Sequence, residues 1–290
     1  MIRTPLRKSL KISIRRMNMN IKYLYKDGKR YCLTMSYDDC PPDDGRLLDL
    51  FNKYHIKGTF HLISAKIKEG YWISPSQVRD VYAGHEVSCH SLTHPFLDNI
   101  PKEQILYEML EDKKNLEAMC GYPVRGMSYP NGIVTPDTLE ILRAIGIVYG
   151  RTTIPNNNFK APQDFLQWNP TCHHRENIIA RIDDFKDSYR AKNACSLFYI
   201  WGHSFEFPRN TENNSWAMIE EFCDKFTATF EDQAWYATNI EIYDYLTAQR
   251  NLIFSTDCTM VQNNAAQSVW LSVDGETVEV KPGALMRLGE

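Results

Sequence analysis

Between residues 31 and 250 the chain alternates short β-branched or aromatic runs with longer stretches of helical periodicity, and few folds accommodate that alternation. Parallel strands need a crossover between them, so the pattern predicts a parallel sheet or barrel wrapped in helices. Strands are expected at 31–37, 58–63, 86–88, 126–129, 147–150, 196–201 and 234–237. Helices are expected at 44–54, 75–83, 102–119, 136–145, 174–191, 215–228 and 239–250. Seven such steps in about 220 residues suit an α/β fold of distorted (β/α)7 type better than a full eightfold barrel. In the helix at 102–119, Ile105, Leu106, Met109 and Leu116 form an apolar stripe, while Lys102, Glu103, Glu108, Asp112 and Lys113 are expected to face water.

The flanks read differently. Residues 1–26 carry eight Lys or Arg and no acid, which is read as a basic N-terminal tail ahead of alternative starts at Met17 or Met19, in preference to a transit segment or a nucleic-acid-binding arm. The barrel is assigned to 27–251. From Leu252 the style turns to short β runs, with Asp274-Gly275 marking a tight hairpin between 269–273 and 277–280. So short a segment does not build its own core, so 252–290 is expected to dock on the barrel as a small β appendage.

A formal charge of −3 gives no overall electrostatic reason to bind nucleic acid or an anionic membrane, and no apolar run has the length of a membrane span. With no secretory leader apparent, a cytoplasmic location is expected. The eight cysteines form no CxxC pair, which speaks against a zinc ribbon or a disulfide scaffold; they are read as mostly reduced and buried. Nothing in the sequence speaks to oligomeric state.

Two clusters carry chemistry. Asp38 and Asp39 directly follow the first expected strand, and barrels build their sites at the C-terminal ends of strands. Adjacent residues on a strand point in opposite directions, so the pair shares a site only if the chain bends, for which Pro41 and Pro42 supply a reason. A solvated turn or a helix cap is the plain alternative, and Asp43 and Asp44 already offer caps for 44–54. After the third expected strand come His90 and His94, four apart, whose imidazoles converge on one cation if a helical turn forms there. With one carboxylate they make a three-ligand set that leaves coordination positions open. His85 precedes the strand and is expected at the opposite end. Cys172, His173 and His174 read as a loop and helix start, with a ligand role as the lesser alternative.

The order SYDD, HEVSCHSLTHP, SYPNG and YIWGHS over residues 30–250, with WYAT as a last strand, resembles the polysaccharide deacetylase family, the NodB-homology domain of carbohydrate esterase family four. The resemblance implies a distorted barrel that removes acetyl groups from N- or O-acetylated carbohydrate with a divalent ion, zinc first and Co, Mn or Ni as alternatives. It implies Asp38 as general base, Asp39, His90 and His94 as metal ligands, and His203 as general acid. The backbone N–H of Asn131 is the candidate oxyanion donor. The family's third motif normally carries an arginine and a tyrosine, where this chain has Ser128 and Asn131. Arg125 lies three residues upstream of Ser128 but on a strand faces the other way. The fourth motif, an Asp and Trp pair, has no match beyond Trp168. Trp168, Trp201 and Tyr129 are candidates to stack on a sugar ring. Two rival functions attach to the same fold: a metal-independent hydrolase of cyclic amides or imides, and a carbohydrate-binding protein without catalysis.

Overall fold

The computed structural model describes residues 19–192 and 195–289; residues 1–18 of the expected tail lie outside the described residues. An edge strand β1 (Ile21–Tyr23) precedes the spine of the fold, β2 (Tyr31–Asp38), all of whose residues are buried. The strands β3 (Gly58–Leu62), β4 (Glu86–Cys89), β5 (Gly126–Ser128) and β6 (Tyr149–Arg151) follow outward from one edge of β2. On the other edge lie β8 (Ser196–Gly202) and then β7 (Cys172–His173). All these pairings are parallel. Trp168 bridges the remaining gap by pairing with Arg151 of β6 a few residues before β7. The strand β9 (Ala234–Tyr236) pairs with the first residues of β2, below β3. The result is the distorted α/β barrel expected.

Crossover helices cover the outside: α1 (Asp44–Lys53), α2 (Val78–Val81), α3 (Lys102–Cys120), α4 (Pro136–Ala144), α5 (Arg181–Lys192), α6 (Trp216–Phe230) and α7 (Asn239–Arg250). Their starts follow local chemistry. Thr135 and Ser215 accept the N3 amides of α4 and α6, and Thr238 with Glu241 forms a capping box on α7. The expected helix at 174–191 begins only at Arg181, because Cys172 and His173 are drawn into the sheet beside β8. The expected helix at 75–83 shortens to a 3-10 turn at Pro75–Gln77 and the single turn of α2. Among the described residues, no helix is long and apolar enough to cross a membrane.

Alternation along the strands sorts the residues by chemistry. Leu33, Met35, Tyr37, Phe60, Leu62, Val87, Met127, Phe198 and Ile200 belong to the large apolar core that includes the helices. The intervening residues Thr34, Ser36, Asp38, Thr59, His61, Glu86, Ser88 and Ser128 are also buried, but polar. Many hydrogen-bond to one another: Thr59 Oγ1 donates to Glu86, Tyr149 OH reaches Glu86 and Ser88, and Tyr199 OH links Ser36 to Asn239. Barrels of this class usually fill their interior with branched apolar side chains. Here the filling is largely a hydrogen-bonded network, in which most polar groups find partners while both ring nitrogens of His61 have none. Gly126 makes room for it, since a Cβ there would stand 2.0 Å from the Tyr149 ring.

After α7 come β10 (Ile253–Phe254), β11 (Met260–Gln262), β12 (Val269–Val273), β13 (Glu276–Val280) and β14 (Leu285–Arg287). The β12–β13 hairpin turns on Asp274 and Gly275, both with positive φ (53° and 99°), as its two-residue loop demands. Val269, Leu271 and Val280 share one apolar cluster with Leu197, Tyr199 and Tyr245. The tail reading stops short at its inner end, because Ile21–Tyr23 adds to this sheet as a partner of β12.

Candidate metal and acid–base site

At the C-terminal end of β2 the backbone turns left-handed, with φ of 81° at Asp39 and 56° at Cys40. The bend expected from Pro41 and Pro42 thus lies one step earlier. Such φ values are unfavourable for residues other than glycine and need outside support. Asp39 N donates to His61 O (3.1 Å), and Cys40 O accepts from Tyr71 OH and Trp72 Nε1, both at 2.9 Å. Asp38 stays inside the barrel while Asp39 faces the mouth.

His90 and His94 do not form a helical turn. Ser91 and His94 have φ of 63° and 65°, and this irregular loop brings the two rings to 4.7 Å between centroids. The loop is held from α3. Asp112 accepts from His90 N and Ser64 N, both at 3.0 Å, and Glu108 accepts from Thr93 N at 2.8 Å and from its hydroxyl at 2.7 Å. The expectation that Glu108 and Asp112 face water is therefore corrected: both are buried, and Leu106 of the expected apolar stripe is 41% exposed instead. The loop's unpaired amides draw these acids inward, a demand that periodicity cannot register.

Asp39 Oδ1 stands 3.6 Å from His90 Nε2 and 3.9 Å from His94 Nε2. These three residues offer ligand atoms that all lie within 4.8 Å of one another. Two further observations fit a cation. Asp39 Oδ1 is buried with no hydrogen-bond partner. His90 Nδ1 lies 2.9 Å from Ser128 O, so that nitrogen carries the proton and Nε2 presents its lone pair towards Asp39. Burial holds the His90 ring down at about 4, against the pull of Asp38, which keeps it neutral as a ligand must be.

Asp38 lies beside this set, 3.9 Å from His90 Nε2. Its Oδ1 accepts from Ser128 Oγ (3.1 Å), and its Oδ2 is ion-paired with Arg151 Nη2, both residues being buried. Burial alone would raise this carboxyl. The Arg151 guanidinium, aided by the His90, His61 and His203 rings, instead holds it well below the usual carboxylate range. Arg125 does not reach the site; it forms a paired contact with Asp244 (2.9 and 2.6 Å). Sequence reasoning missed Arg151, though an arginine at the C-terminal end of an expected strand was a signal. Asn131, exposed and with φ 56°, stands on the turn three residues beyond Ser128.

His203 follows β8 and is partly exposed, its ring 5.7 Å from that of Trp201. Glu206 Oε1 lies 3.8 Å from His203 Nδ1, beyond hydrogen-bond length, so its hold on the ring is ionic. Burial alone would lower this imidazole, but Glu206, Asp38 and Asp39 outweigh it and raise it above its ordinary value. Glu206 Oε2 is also 3.2 Å from His173 Nε2 and 3.0 Å from His174 Nε2. His173, His203 and Glu206 form a second group with ligand-like spacing. Its surroundings oppose a cation: Arg175 and Arg209 stand 3.7 and 3.6 Å from Glu206 Oε1, and His173 Nδ1 already accepts from Arg175 N. The reading of Cys172–His174 as loop and helix start is corrected, since Cys172 and His173 form β7 and His174 packs against Gly202. Asp44 does not serve as a cap either. It is buried, accepts from Ser204 and Tyr82, and is pushed up by burial to about 8. Trp168 and Tyr129 are almost wholly buried and offer no platform to a sugar.

A family model described as polysaccharide deacetylase matches residues 25–150. A chitooligosaccharide deacetylase of Bradyrhizobium is 26% identical over 135 residues, 44% of this chain and 58% of that relative. The chain thus spans little more than half the length of that relative. Among solved structures, a Mycobacterium smegmatis protein described as a polysaccharide deacetylase is similar with a TM-score of 0.58 at 16% identity, over 79% of this chain and 94% of its own. The Puue allantoinase is similar with a TM-score of 0.55 at 14% identity, over 74% and 89%. At these identities the likeness is one of fold.

Proposed function

Residues 25–150 belong to the polysaccharide deacetylase family, and from that premise we propose that this protein is a metal-dependent hydrolase removing acetyl groups from an N- or O-acetylated carbohydrate. The observation that carries the reading is the convergence of Asp39, His90 and His94 within 4.8 Å beside an ionised, buried Asp38. When held by those three side chains, a divalent ion, zinc first and Co, Mn or Ni as alternatives, acidifies water and polarises the acetyl carbonyl.

The remaining chemistry belongs to the chain. Asp38 takes the proton of the attacking water, and Arg151 and Ser128 keep it ionised and aimed. The N–H of Asn131 donates to the oxyanion. His203, kept charged by Glu206, protonates the departing amine or alkoxide, which leaves poorly without that proton. The base and the acid are thus two groups whose surroundings push them apart, one down and the other up.

The test is turnover of acetylated chitooligosaccharides and xylan, beside a cyclic imide, with and without chelator. Deacetylation that chelator abolishes is expected. Asp38→Asn should lose about 10²- to 10⁴-fold in kcat while retaining metal, and His90→Ala should lose both. Full activity in Asp38→Asn removes the assigned base. Chelator-resistant opening of the imide, or sugar binding without turnover, replaces the reading by one of its rivals.

A further inference from the structure

We infer that the rim beside His203 is a subsite for a carboxylate carried by the saccharide, read by Arg175 and Arg209; this rests on the deacetylase reading above. Both guanidiniums lean on the buried Glu206 yet have side chains 50% and 52% exposed. Their distances to it, 3.7 and 3.6 Å, exceed hydrogen-bond length. Among the described residues, no other acid lies within 4 Å of either guanidinium. Glu176, next in the chain to Arg175, is committed to Arg181 at 3.4 Å and to His173 N at 3.0 Å. Arg175 donates through Nε to His173 Nδ1 at 3.3 Å, which anchors the side chain and leaves its outer N–H groups unspent.

Glu206 therefore faces two guanidiniums and the His203 ring, while burial holds the neighbouring His173 and His174 rings down so that they add no charge, in a chain whose overall charge is −3. The excess is local and positive, and it has direction. The Arg209 guanidinium lies 5.8 Å from the Phe205 ring, and that ring lies 5.0 Å from His203. Phe205 is 36% exposed, so an apolar face stands between the proton donor and the arginine. A sugar ring on Phe205 would extend from the reacting group at His203 towards the guanidiniums. Their planar forks suit a carboxylate better than a neutral hydroxyl. The substrate class this favours is an acetylated oligosaccharide with a carboxylate on the same or a neighbouring ring.

The experiment uses the metal-loaded full chain and three acetylated oligosaccharides: one with a free carboxylate, its methyl ester, and a neutral N-acetylglucosamine oligomer. Wild type should favour the acid over its ester roughly tenfold in kcat/KM, chiefly through KM and less at high salt. R175Q and R209Q should each remove most of that preference and leave the neutral oligomer unchanged. Calorimetry with the deacetylated acidic oligosaccharide gives a second readout that needs no turnover. Equal kcat/KM for acid and ester overturns the subsite and leaves the deacetylase standing. Arginine variants that slow all three substrates alike also overturn it. Arginine-dependent binding with no turnover of any substrate supports the subsite and overturns the deacetylase reading.

Discussion

Asp38 and Glu86 are both buried inside the same barrel, one at the C-terminal end of β2 and the other at the start of β4, yet they carry opposite electrostatics. Asp38 meets a guanidinium; Glu86 meets only neutral donors, Thr59 Oγ1, Tyr149 OH and the Ile240 amide in the first turn of α7. Burial pushes Glu86 up to about 7 despite those donors, while Arg151 drives Asp38 down. Hydrogen bonds make burial of a carboxyl tolerable, but holding it ionised takes a full opposite charge. The end of the barrel with that charge holds its buried acid ionised, and the other end holds a buried acid among neutral donors.

The sharpest way to break this contrast is to remove the compensating charge. Arg151→Met strands a buried carboxylate and should cost about 3–5 kcal/mol in denaturant unfolding, together with activity. Glu86→Gln should cost only about 1 kcal/mol. Equal losses would mean that Arg151 and the neutral donors are equivalent partners.

A smaller effect concerns the acid. His203 is raised by Glu206, so it stays protonated to higher pH than a free imidazole, and activity should fall as pH rises through its titration. Glu206→Gln should move that alkaline limb to lower pH, with about a tenfold loss of kcat on the alkaline side and little change on the acid side. A pH profile superimposable on wild type would show that Glu206 only packs.

The smallest effect is a difference of slope. Glu86 in the folded chain titrates near 7, above its unfolded value of about 4.3, so its contribution to stability is complete below the unfolded value and is lost as pH rises through about 7. Asp38 acts in the opposite sense, contributing above about 3.9 and losing that contribution on acidification. Stability measured between pH 5 and pH 8 in Glu86→Gln should therefore decline less steeply than in wild type. A shared residual decline is expected from Asp44 and Asp112, which burial raises to about 8 and about 7. Identical slopes in the two proteins would remove Glu86 from the titration.

Much of the fold was legible. The strands expected near β2, β3, β4, β8 and β9 form, because their runs are short, β-branched or aromatic and punctuated by turn residues. The sheet edge at 172–173 was not, since two residues next to a strand carry no periodicity of their own. At the candidate site, the pairs Asp38–Asp39 and His90–His94 stood out in the sequence because each is local and sits at a strand end, while their convergence is a property of the fold. Arg151 was not: it meets Asp38 across 113 residues of chain and across the barrel. Asp112 and Glu108 looked like the solvent face of a helix until a loop without regular structure needed their oxygens.

By itself, then, the sequence determined the alternation of strand and helix, the acids and imidazoles available at the strand ends, and the turn chemistry of the terminal hairpin. These depend on neighbours a few residues apart, where covalent geometry sets the relations. Only the tertiary structure decided which charge faces which buried carboxyl and which half of each strand became the barrel's interior. Such pairings depend on closure of the barrel, which brings distant residues into one low-dielectric space where a single guanidinium changes the state of an acid.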